Sequence, residues 1–356
     1  MVTVPGRGRG PSYGPARGGV GSAEPEITAE PQSVRALAYP ALTGRPEPGD
    51  RVLLNTTALH QGLGTGGYAL VVAIPDRLPP DPELAGHVVK ARYTPLQATV
   101  ASADEQGSPY HDLLRDADSI DGMPVVVADL HSALPAILAG MGQGTATVAY
   151  VMQDGGALPA WFSRTIAGLR SAGWLAGTVT TGQSFGGDLE AVTVHSGLLA
   201  ARHVLGADVA IITQGPGNLG TGTRWGFSGV AAGEAVNAVA ALGGRPVAAL
   251  RISFADGRER HQGVSHHSLT AYGRVALAAA DVVIPLLPGA AGDRVAAEAA
   301  TLGSRHRLVR IEVEGLAEAL QDCPVGLSTM GRGLTADPEY FLACAAAGRH
   351  ARTLLA

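Results

Sequence analysis

From residue 123 onward, short apolar runs alternate with stretches of helical composition, and this alternation constrains the fold more than any other feature of the chain. Continuous runs of Val, Ile, Leu and Ala are typical of strands that are buried on both faces. Strands of this kind separated by helices predict an α/β protein with a mostly parallel sheet and helices on both faces. The predicted strands are residues 124–129, 147–152, 175–180, 208–213, 246–253, 281–287 and 307–313, and the predicted helices are residues 159–172, 189–204, 228–242, 268–279, 293–302 and 338–350.

The preceding part of the chain has a β-rich pattern, and the 356 residues are enough for two domains. Five short strand-like runs within residues 31–102, broken by Pro and Gly clusters, predict a small β domain, either a barrel or a sandwich. The polar residues 103–122 are predicted to be a linker to the α/β domain, residues 123–356. Residues 1–30 are rich in Gly, Pro and Arg and predict a disordered tail.

Composition excludes several classes of protein. A net charge of −5 gives no support for a nucleic-acid partner held by bulk electrostatics. The two cysteines, Cys323 and Cys344, have no neighbours at ligand spacing, so neither a thiolate zinc site nor a disulfide framework is indicated. Because we find neither a signal-peptide core nor an apolar run of about 20 residues, we expect a cytoplasmic protein with no membrane partner. We also expect a homo-oligomer.

Lys90 is the only lysine in the chain. A phosphate-binding loop that depends on lysine is therefore excluded. Any phosphate or carboxylate ligand must be held by arginine or by backbone N–H groups.

A glycine-rich loop, residues 214–228, follows one predicted strand and precedes a predicted helix. Glycine there allows the backbone to approach a ligand, and the N-terminus of the next helix favours an anion. Its G-x-G-x-x-G spacing is not a dinucleotide fingerprint, because no helix begins within it and Pro216 interrupts it. The alternative is a simple connector. The predicted anion-binding residues are Gly215, Gly217, Gly220, Thr221, Gly222, Thr223 and Arg224.

A histidine-rich segment, residues 251–268, also leaves a predicted strand and enters a helix. Histidine exchanges protons near neutral pH, and an aspartate can orient it. Because adjacent side chains point different ways on a regular backbone, only one of the two neighbouring histidines is expected to face a ligand. The alternative is a solvated, charged turn with Ser265 as the helix N-cap. The predicted catalytic residues are Asp256, Arg260, His261, His266 and His267.

Two further strand ends carry polar side chains. Asp188 and Glu190 are predicted ligand-binding residues, with stabilisation of a helix N-terminus as the alternative. Asp129 and His131 have a spacing compatible with an acid–base pair or a metal site. Because the carboxyl ends of parallel strands share one edge, all four segments are predicted to form one site. No residue is assigned as a metal ligand, and no cofactor is identified.

These motifs resemble a bacterial family of proteins of unknown function, DUF3866. The resemblance covers nearly everything after the N-terminal tail and implies no activity. The chain departs from the family pattern at Gln183 and Ala69, where histidine is expected, and at Gly257, where proline is frequent; the missing histidines lower the expectation of a histidine-bound metal. The residues that carry the resemblance are 55–57, 62–68, 129–132, 186–192, 215–223, 251–253 and 260–267.

The sequence thus favours an enzyme, a hydrolase or transferase, that acts on a small anionic or phosphorylated metabolite. Hydrolysis or transfer is preferred because no redox motif occurs. A non-catalytic sensor that binds the same small anionic ligand is the alternative, and a structural scaffold is a weaker one.

Overall fold

The computed structural model describes residues 2–6, 29–81 and 86–355, with side chains from residue 33 onward. They fall into two compact units, one within residues 1–83 and one within residues 84–356. Most of the predicted tail, residues 7–28, lies outside the described residues.

The first unit is built on one mixed sheet of four strands, in the order β1-β2-β4-β3. Strand β2 runs antiparallel to β1 and parallel to β4, which is antiparallel to β3. A single sheet thus stands where the sequence predicted a barrel or a sandwich. The elements of this unit are β1 (Val2–Gly6), β2 (Ala29–Leu37), α1 (Pro40–Thr43), β3 (Leu53–Asn55), α2 (Thr57–His60) and β4 (Tyr68–Ala73).

The second unit contains the remaining strands and helices. Its strands are β5 (Val88–Lys90), β6 (Ala98–Val100), β7 (Pro124–Val127), β8 (Val148–Gln153), β9 (Gly177–Thr180), β10 (Leu189–Glu190), β11 (Val209–Gln214), β12 (Arg245–Ala249), β13 (Ile252–Ser253), β14 (Gly263–Val264), β15 (Asp281–Leu286), β16 (Arg307–Glu312), β17 (Ser328–Thr329) and β18 (Arg332–Gly333). Its α-helices are α3 (His111–Leu114), α4 (Ala133–Met141), α5 (Arg164–Ser171), α6 (Val194–His203), α7 (Ala231–Ala241), α8 (His266–Thr270), α9 (Gly289–Ala299), α10 (Leu316–Gln321) and α11 (Pro338–Thr353).

Eight parallel strands form the main sheet, in the order β10-β9-β8-β11-β7-β12-β15-β16. Their register places Val127 of β7 opposite Ile212 of β11 and Ala248 of β12. Strands β7, β8 and β11 are buried along their whole length, as expected for the continuous apolar runs of the sequence. The predicted parallel α/β sheet is confirmed.

Alternate residues of each central strand face two separate cores, so helices cover both faces of the sheet. Val125 and Val127 pack with α6 and α7 on one face. Val126 and Ala128 pack with α4 and α11 on the other face. Helices α4 and α11 cross closely, because an added Cβ on Gly140 would lie 1.9 Å from the carbonyl oxygen of Ala345.

Several elements differ from the predictions. Residues 189–190, predicted to begin a helix, form strand β10 instead, and the helix begins at Val194. The predicted strand 246–253 breaks after Ala249. Strands β5 and β6 pair in a hairpin of the second unit, although the sequence grouped them with the first. The sequence also missed α4 and α10. Within the described part of the chain, no helix is long and apolar enough to cross a membrane.

Candidate functional site

The carboxyl ends of β11, β7 and β12 form the centre of the candidate site. Strand β7 lies between β11 and β12 in the sheet. The chain leaves β7 towards β8 on one side and leaves β12 towards β15 on the other side, so the two connections run in opposite directions. In open parallel sheets, ligands bind in the crevice beyond such a switch point. The glycine-rich loop follows β11, Asp129 follows β7, and the histidine-rich segment follows β12.

The histidine-rich segment brings three imidazoles together, and we call His261, His266 and His267 the histidine cluster. One ring nitrogen from each histidine lies within 4.8 Å of the other two. The ring centroids are 4.5–5.0 Å apart. The adjacent His266 and His267 therefore both join the cluster, contrary to the expectation that only one would. Both occupy the first turn of α8, where neighbouring side chains diverge by about 100° rather than the 180° of a strand.

The contacts of the histidine cluster hold two rings in place and leave one buried nitrogen without a partner. Nδ1 of His261 shares a 2.7 Å hydrogen bond with Oγ of Ser265, which also accepts a bond from the backbone N–H of His267. The ring of Phe227 stacks on that of His267 at 3.8 Å. Nε2 of His266 is buried, and no described residue forms a hydrogen bond with it. Buried polar atoms of this kind are rare in proteins and point to a missing partner.

Asp129 supplies a second buried atom without a partner. Its side chain is 4% exposed, and Oδ2 has no hydrogen bond within the described residues. This oxygen lies 3.6 Å from Nδ1 of His267 and 3.9 Å from Nη1 of Arg251. The chain approaches Asp129 closely at Gly229, where an added Cβ would lie 2.9 Å from the Asp129 Cβ. The carboxylate is thus held beside the histidine cluster at longer than hydrogen-bond distance.

Asp256, in contrast, is surrounded by positive charge. Its carboxylate receives hydrogen bonds from the Arg258 side chain at 2.8 and 2.9 Å. The guanidinium groups of Arg251 and Arg332 each lie 3.5 Å away. The bonds from Arg258 hold the pKa of Asp256 well below its usual range. Asp256 is therefore ionised at neutral pH and orients arginines, which does not suit the predicted role in proton transfer.

Burial and the nearby arginines keep two histidines of the cluster uncharged. Desolvation, followed by the positive charges of Arg251 and Arg258, lowers the pKa of His261 to about 3. Desolvation, followed by His267 and Arg260, lowers the pKa of His266 to about 4. Both imidazoles are neutral at pH 7, the state in which a ring nitrogen can accept a proton or bind a metal ion.

The glycine-rich loop is stabilised mainly by bonds within itself. The backbone N–H of Thr221 donates to the Gly226 carbonyl at 2.7 Å, and the hydroxyls of Thr221 and Thr223 are 3.1 Å apart. Gly217 and Gly222 have positive φ angles. Gly215 packs against the backbone, because an added Cβ would lie 2.4 Å from the Ala157 carbonyl oxygen. Several donors predicted to bind an anion are therefore already used inside the loop.

Besides the stacking of Phe227 on His267, a second contact joins the glycine-rich loop to the histidine-rich segment. A Cβ added to Gly222 would lie 3.6 Å from Nη2 of Arg260. Arg260 and Arg224 are exposed, and neither forms an ion pair with any residue that the structure describes. The two loops predicted to share a site therefore meet at an arginine whose charge is available to a ligand.

Asp188 and Glu190 have their contacts elsewhere. Asp188 accepts hydrogen bonds from the backbone N–H and the hydroxyl of Thr178, near the amino end of β9, and pairs with Arg170. Glu190 pairs with the buried Lys90 at 2.9 Å. The structure does not bring either carboxylate into contact with the histidine cluster.

The Lys90–Glu190 pair has a full set of hydrogen bonds. The Lys90 ammonium donates to the carbonyls of Thr180, Ser184 and Ala191 at 2.7–2.9 Å. The Glu190 carboxylate accepts bonds from the Thr180 hydroxyl and from the backbone N–H of Gly186, both at 2.6 Å. The pair ties the β5–β6 hairpin to the turn between β9 and β10.

His131 is also fully engaged. Nδ1 shares a 2.9 Å hydrogen bond with the Tyr150 hydroxyl, and Nε2 shares a 2.7 Å bond with the Ser163 hydroxyl. Burial lowers the pKa of His131 to about 4. Both ring nitrogens have protein partners, so His131 is placed to support the fold rather than to bind a ligand.

A cleft of about 550 Å³ lies apart from the histidine cluster, beside the β5–β6 hairpin. Gln183, Arg92 and Tyr93 are among the residues that line it. Its size suits a small molecule, but it contains none of the buried polar atoms without partners. We therefore place the candidate site at the histidine cluster and not at this cleft.

The sequence did not identify some residues of the candidate site. Arg251, Ser265 and Phe227 all contact the histidine cluster, and none was predicted to bind a ligand. The spacing H-x₄-H-H, preceded by a serine N-cap, is the signal that could have indicated the cluster. The grouping of all three imidazoles was missed because adjacent histidines were expected to diverge.

Comparisons with known proteins agree with the motif resemblance. A family model described as "Protein of unknown function (DUF3866)" matches residues 35–348, which is most of the chain. None of the curated proteins compared with the chain matches it.

Proposed function

The chain belongs to this family of proteins of unknown function, and we propose that it is an enzyme, a hydrolase or transferase, that acts on a small anionic or phosphorylated metabolite. The reaction takes place at the carboxyl ends of β11, β7 and β12. Its cytoplasmic location and its assembly into a homo-oligomer are part of the same proposal, and they rest on the sequence alone.

The observation that carries the proposal is Arg260. This exposed guanidinium group lies against Gly222 of the glycine-rich loop, close enough to His266 to lower the pKa of that residue. Arg251 and Arg258 are both paired with Asp256. Arg260 has no such partner among the described residues, and an anion would neutralise it beside the histidine cluster.

A panel of anions tests the proposal by thermal unfolding. We expect inorganic phosphate, phosphomonoesters or small carboxylates to raise the Tm of the protein, because a ligand that binds only the folded state stabilises it. Arg260→Ala should abolish the shift and Arg260→Lys should restore part of it. Arg164→Ala is the matched control, because Arg164 is an exposed arginine at the start of α5, distant in sequence from both loops of the candidate site.

Turnover distinguishes an enzyme from a sensor. Stabilising anions and their esters are incubated with the protein, and the products are identified by mass spectrometry. Products that disappear in Arg260→Ala support the enzyme. A reproducible shift in Tm without any product would replace the enzyme with a sensor, and equal Tm values across the panel would overturn both.

A further inference from the structure

We infer that His261, His266 and His267 bind one divalent transition-metal ion of the Zn²⁺ type, with Asp129 and Ser265 orienting the rings. This inference deepens the proposed function, because it names the cofactor of the same site. It can be tested without any knowledge of the substrate.

The donor set suits such an ion. Three imidazoles with further positions left open are the ligands of catalytic zinc sites. Nε2 of His261, Nε2 of His267 and both ring nitrogens of His266 form no hydrogen bond within the described residues, so each ring has a nitrogen without a protein partner. Because all three ligand atoms are imidazole nitrogens, Ca²⁺ and Mg²⁺, which prefer oxygen ligands, are disfavoured.

The distances need only a small adjustment. Zinc–nitrogen bonds of about 2.0–2.1 Å in tetrahedral geometry place the ligand nitrogens about 3.3 Å apart. The present separations are within 4.8 Å, so rotation of the side chains by up to about 1.5 Å at the nitrogens closes the site.

The groups behind the rings are those expected of a metal site. Histidine ligands typically donate their second N–H to a carboxylate or another acceptor, which fixes the ring and its tautomer. Ser265 occupies this position behind His261, at 2.7 Å. Asp129 lies behind His267, 3.6 Å from Nδ1, and the Arg251 guanidinium lies 3.4 Å from the same nitrogen; donation from Nδ1–H to Asp129 would replace that arginine contact. Five buried side-chain atoms of the described residues lack a hydrogen-bond partner, and metal binding would give partners to two of them, Nε2 of His266 directly and Oδ2 of Asp129 through His267.

The ion would supply a Lewis acid and a bound water of lowered pKa, which is the usual source of a nucleophile in hydrolysis. Arg260, on the same segment, would hold the anionic part of the substrate beside it. The residues of this chain thereby divide into ligands, orienting groups and a substrate-binding cation.

The experiment uses the full chain without a histidine tag, stripped with a chelator. Zn²⁺ is titrated by calorimetry, bound metal is counted by elemental analysis, and Co²⁺ is added for its visible absorption spectrum. We expect one ion per chain and an intense Co²⁺ spectrum of tetrahedral or five-coordinate geometry. His266→Ala should lose this binding, whereas His195→Ala, an exposed histidine on α6, should retain it.

Asp129→Asn tests the orienting role and should weaken Zn²⁺ affinity by about 10–100-fold without changing the stoichiometry. Failure of the wild-type protein to bind one equivalent of Zn²⁺ or Co²⁺ overturns the inference. Retention of wild-type affinity by a folded His266→Ala variant does the same. Because these measurements need no substrate, a metal site without turnover would contradict the proposed enzyme and leave the metal site standing.

Discussion

Two sets of buried polar side chains at the same edge of the sheet differ in how completely their atoms are hydrogen-bonded. Lys90 and Glu190 use their charged atoms in hydrogen bonds to each other and to the surrounding backbone. Asp129 and His266 each keep one buried atom without a partner in the described chain. Burying a charge is costly unless it is paired, so the first arrangement is structural, whereas the second calls for a ligand. Whether a buried polar atom has a hydrogen-bond partner therefore helps to distinguish structural residues from functional ones, which residue type alone does not.

The largest effect on stability is expected from breaking the Lys90–Glu190 pair. Glu190→Ala leaves the Lys90 ammonium buried without its counter-charge and should lower the free energy of unfolding by about 3–5 kcal/mol. Urea denaturation measures it. Glu190→Gln, which retains hydrogen-bonding atoms, should lose less. A loss below about 1 kcal/mol would show that the Lys90–Glu190 pair does not stabilise the fold as proposed.

Asp256 belongs with the paired charges although it lies in the candidate site. Asp256→Asn should lower the free energy of unfolding by about 2 kcal/mol at pH 7, because hydrogen bonds from charged donors are weakened. Since the hydrogen bonds from Arg258 depress the folded-state pKa of Asp256, its contribution is present above the unfolded-state pKa of about 3.9. It is lost as pH falls below that value towards the folded-state pKa.

The difference between wild type and Asp256→Asn should therefore shrink below about pH 4. Urea denaturation curves measure this difference from pH 7 down to the lowest pH at which the protein is folded. Asp281→Asn, at the start of β15, removes another carboxylate of lowered pKa and should show the same decrease, so it is a positive control for the measurement. A difference that stays constant with pH would show that the Asp256 charge does not stabilise the fold.

Asp129 should behave in the opposite way. Asp129→Asn removes a buried carboxylate that makes no hydrogen bond through Oδ2, so the free energy of unfolding of the metal-free protein should change by less than about 1 kcal/mol. Urea denaturation of chelated samples checks this value. A loss as large as that of Glu190→Ala would place Asp129 among the structural charges.

The smallest effect is expected at Asp188. Its carboxylate is partly exposed and pairs with Arg170, and such pairs contribute about 0–1 kcal/mol. Asp188→Asn should change stability within that range and leave Zn²⁺ binding unaltered, as measured by urea denaturation and calorimetry. Loss of metal binding in this variant would show that Asp188 contributes to the candidate site. It would also weaken the distinction between the histidine cluster and the region around the Lys90–Glu190 pair.

The sequence predicted the sheet well because buried parallel strands leave a clear signal. The apolar runs at residues 124–129 and 208–213 correspond to β7 and β11. Strand β10 was missed because its two residues are too short to show a periodicity, and Glu190 suggested a helix start instead. Its burial depends on Lys90, which lies 100 residues earlier, so no local pattern could indicate it.

The candidate site was only partly predictable. The positions of Asp129 and the histidine-rich segment at strand ends followed from parallel topology alone. Parallel topology did not predict which of these charges are paired, because Asp188 and Glu190 follow a strand in the same way as Asp129 does. Their partners, Arg170 and Lys90, are distant in sequence and are brought close only by the fold.

The burial of Lys90 also gives the folded protein an unusual chemical surface. As the only lysine of the chain, it has no exposed area, so the native side chains offer no primary amine to solvent. Amine-directed cross-linkers, labels and acetylating enzymes would find only the terminal amine until the β5–β6 hairpin opens. The rate at which an amine reagent modifies Lys90 would therefore report the opening of this hairpin at a single residue, without an introduced probe.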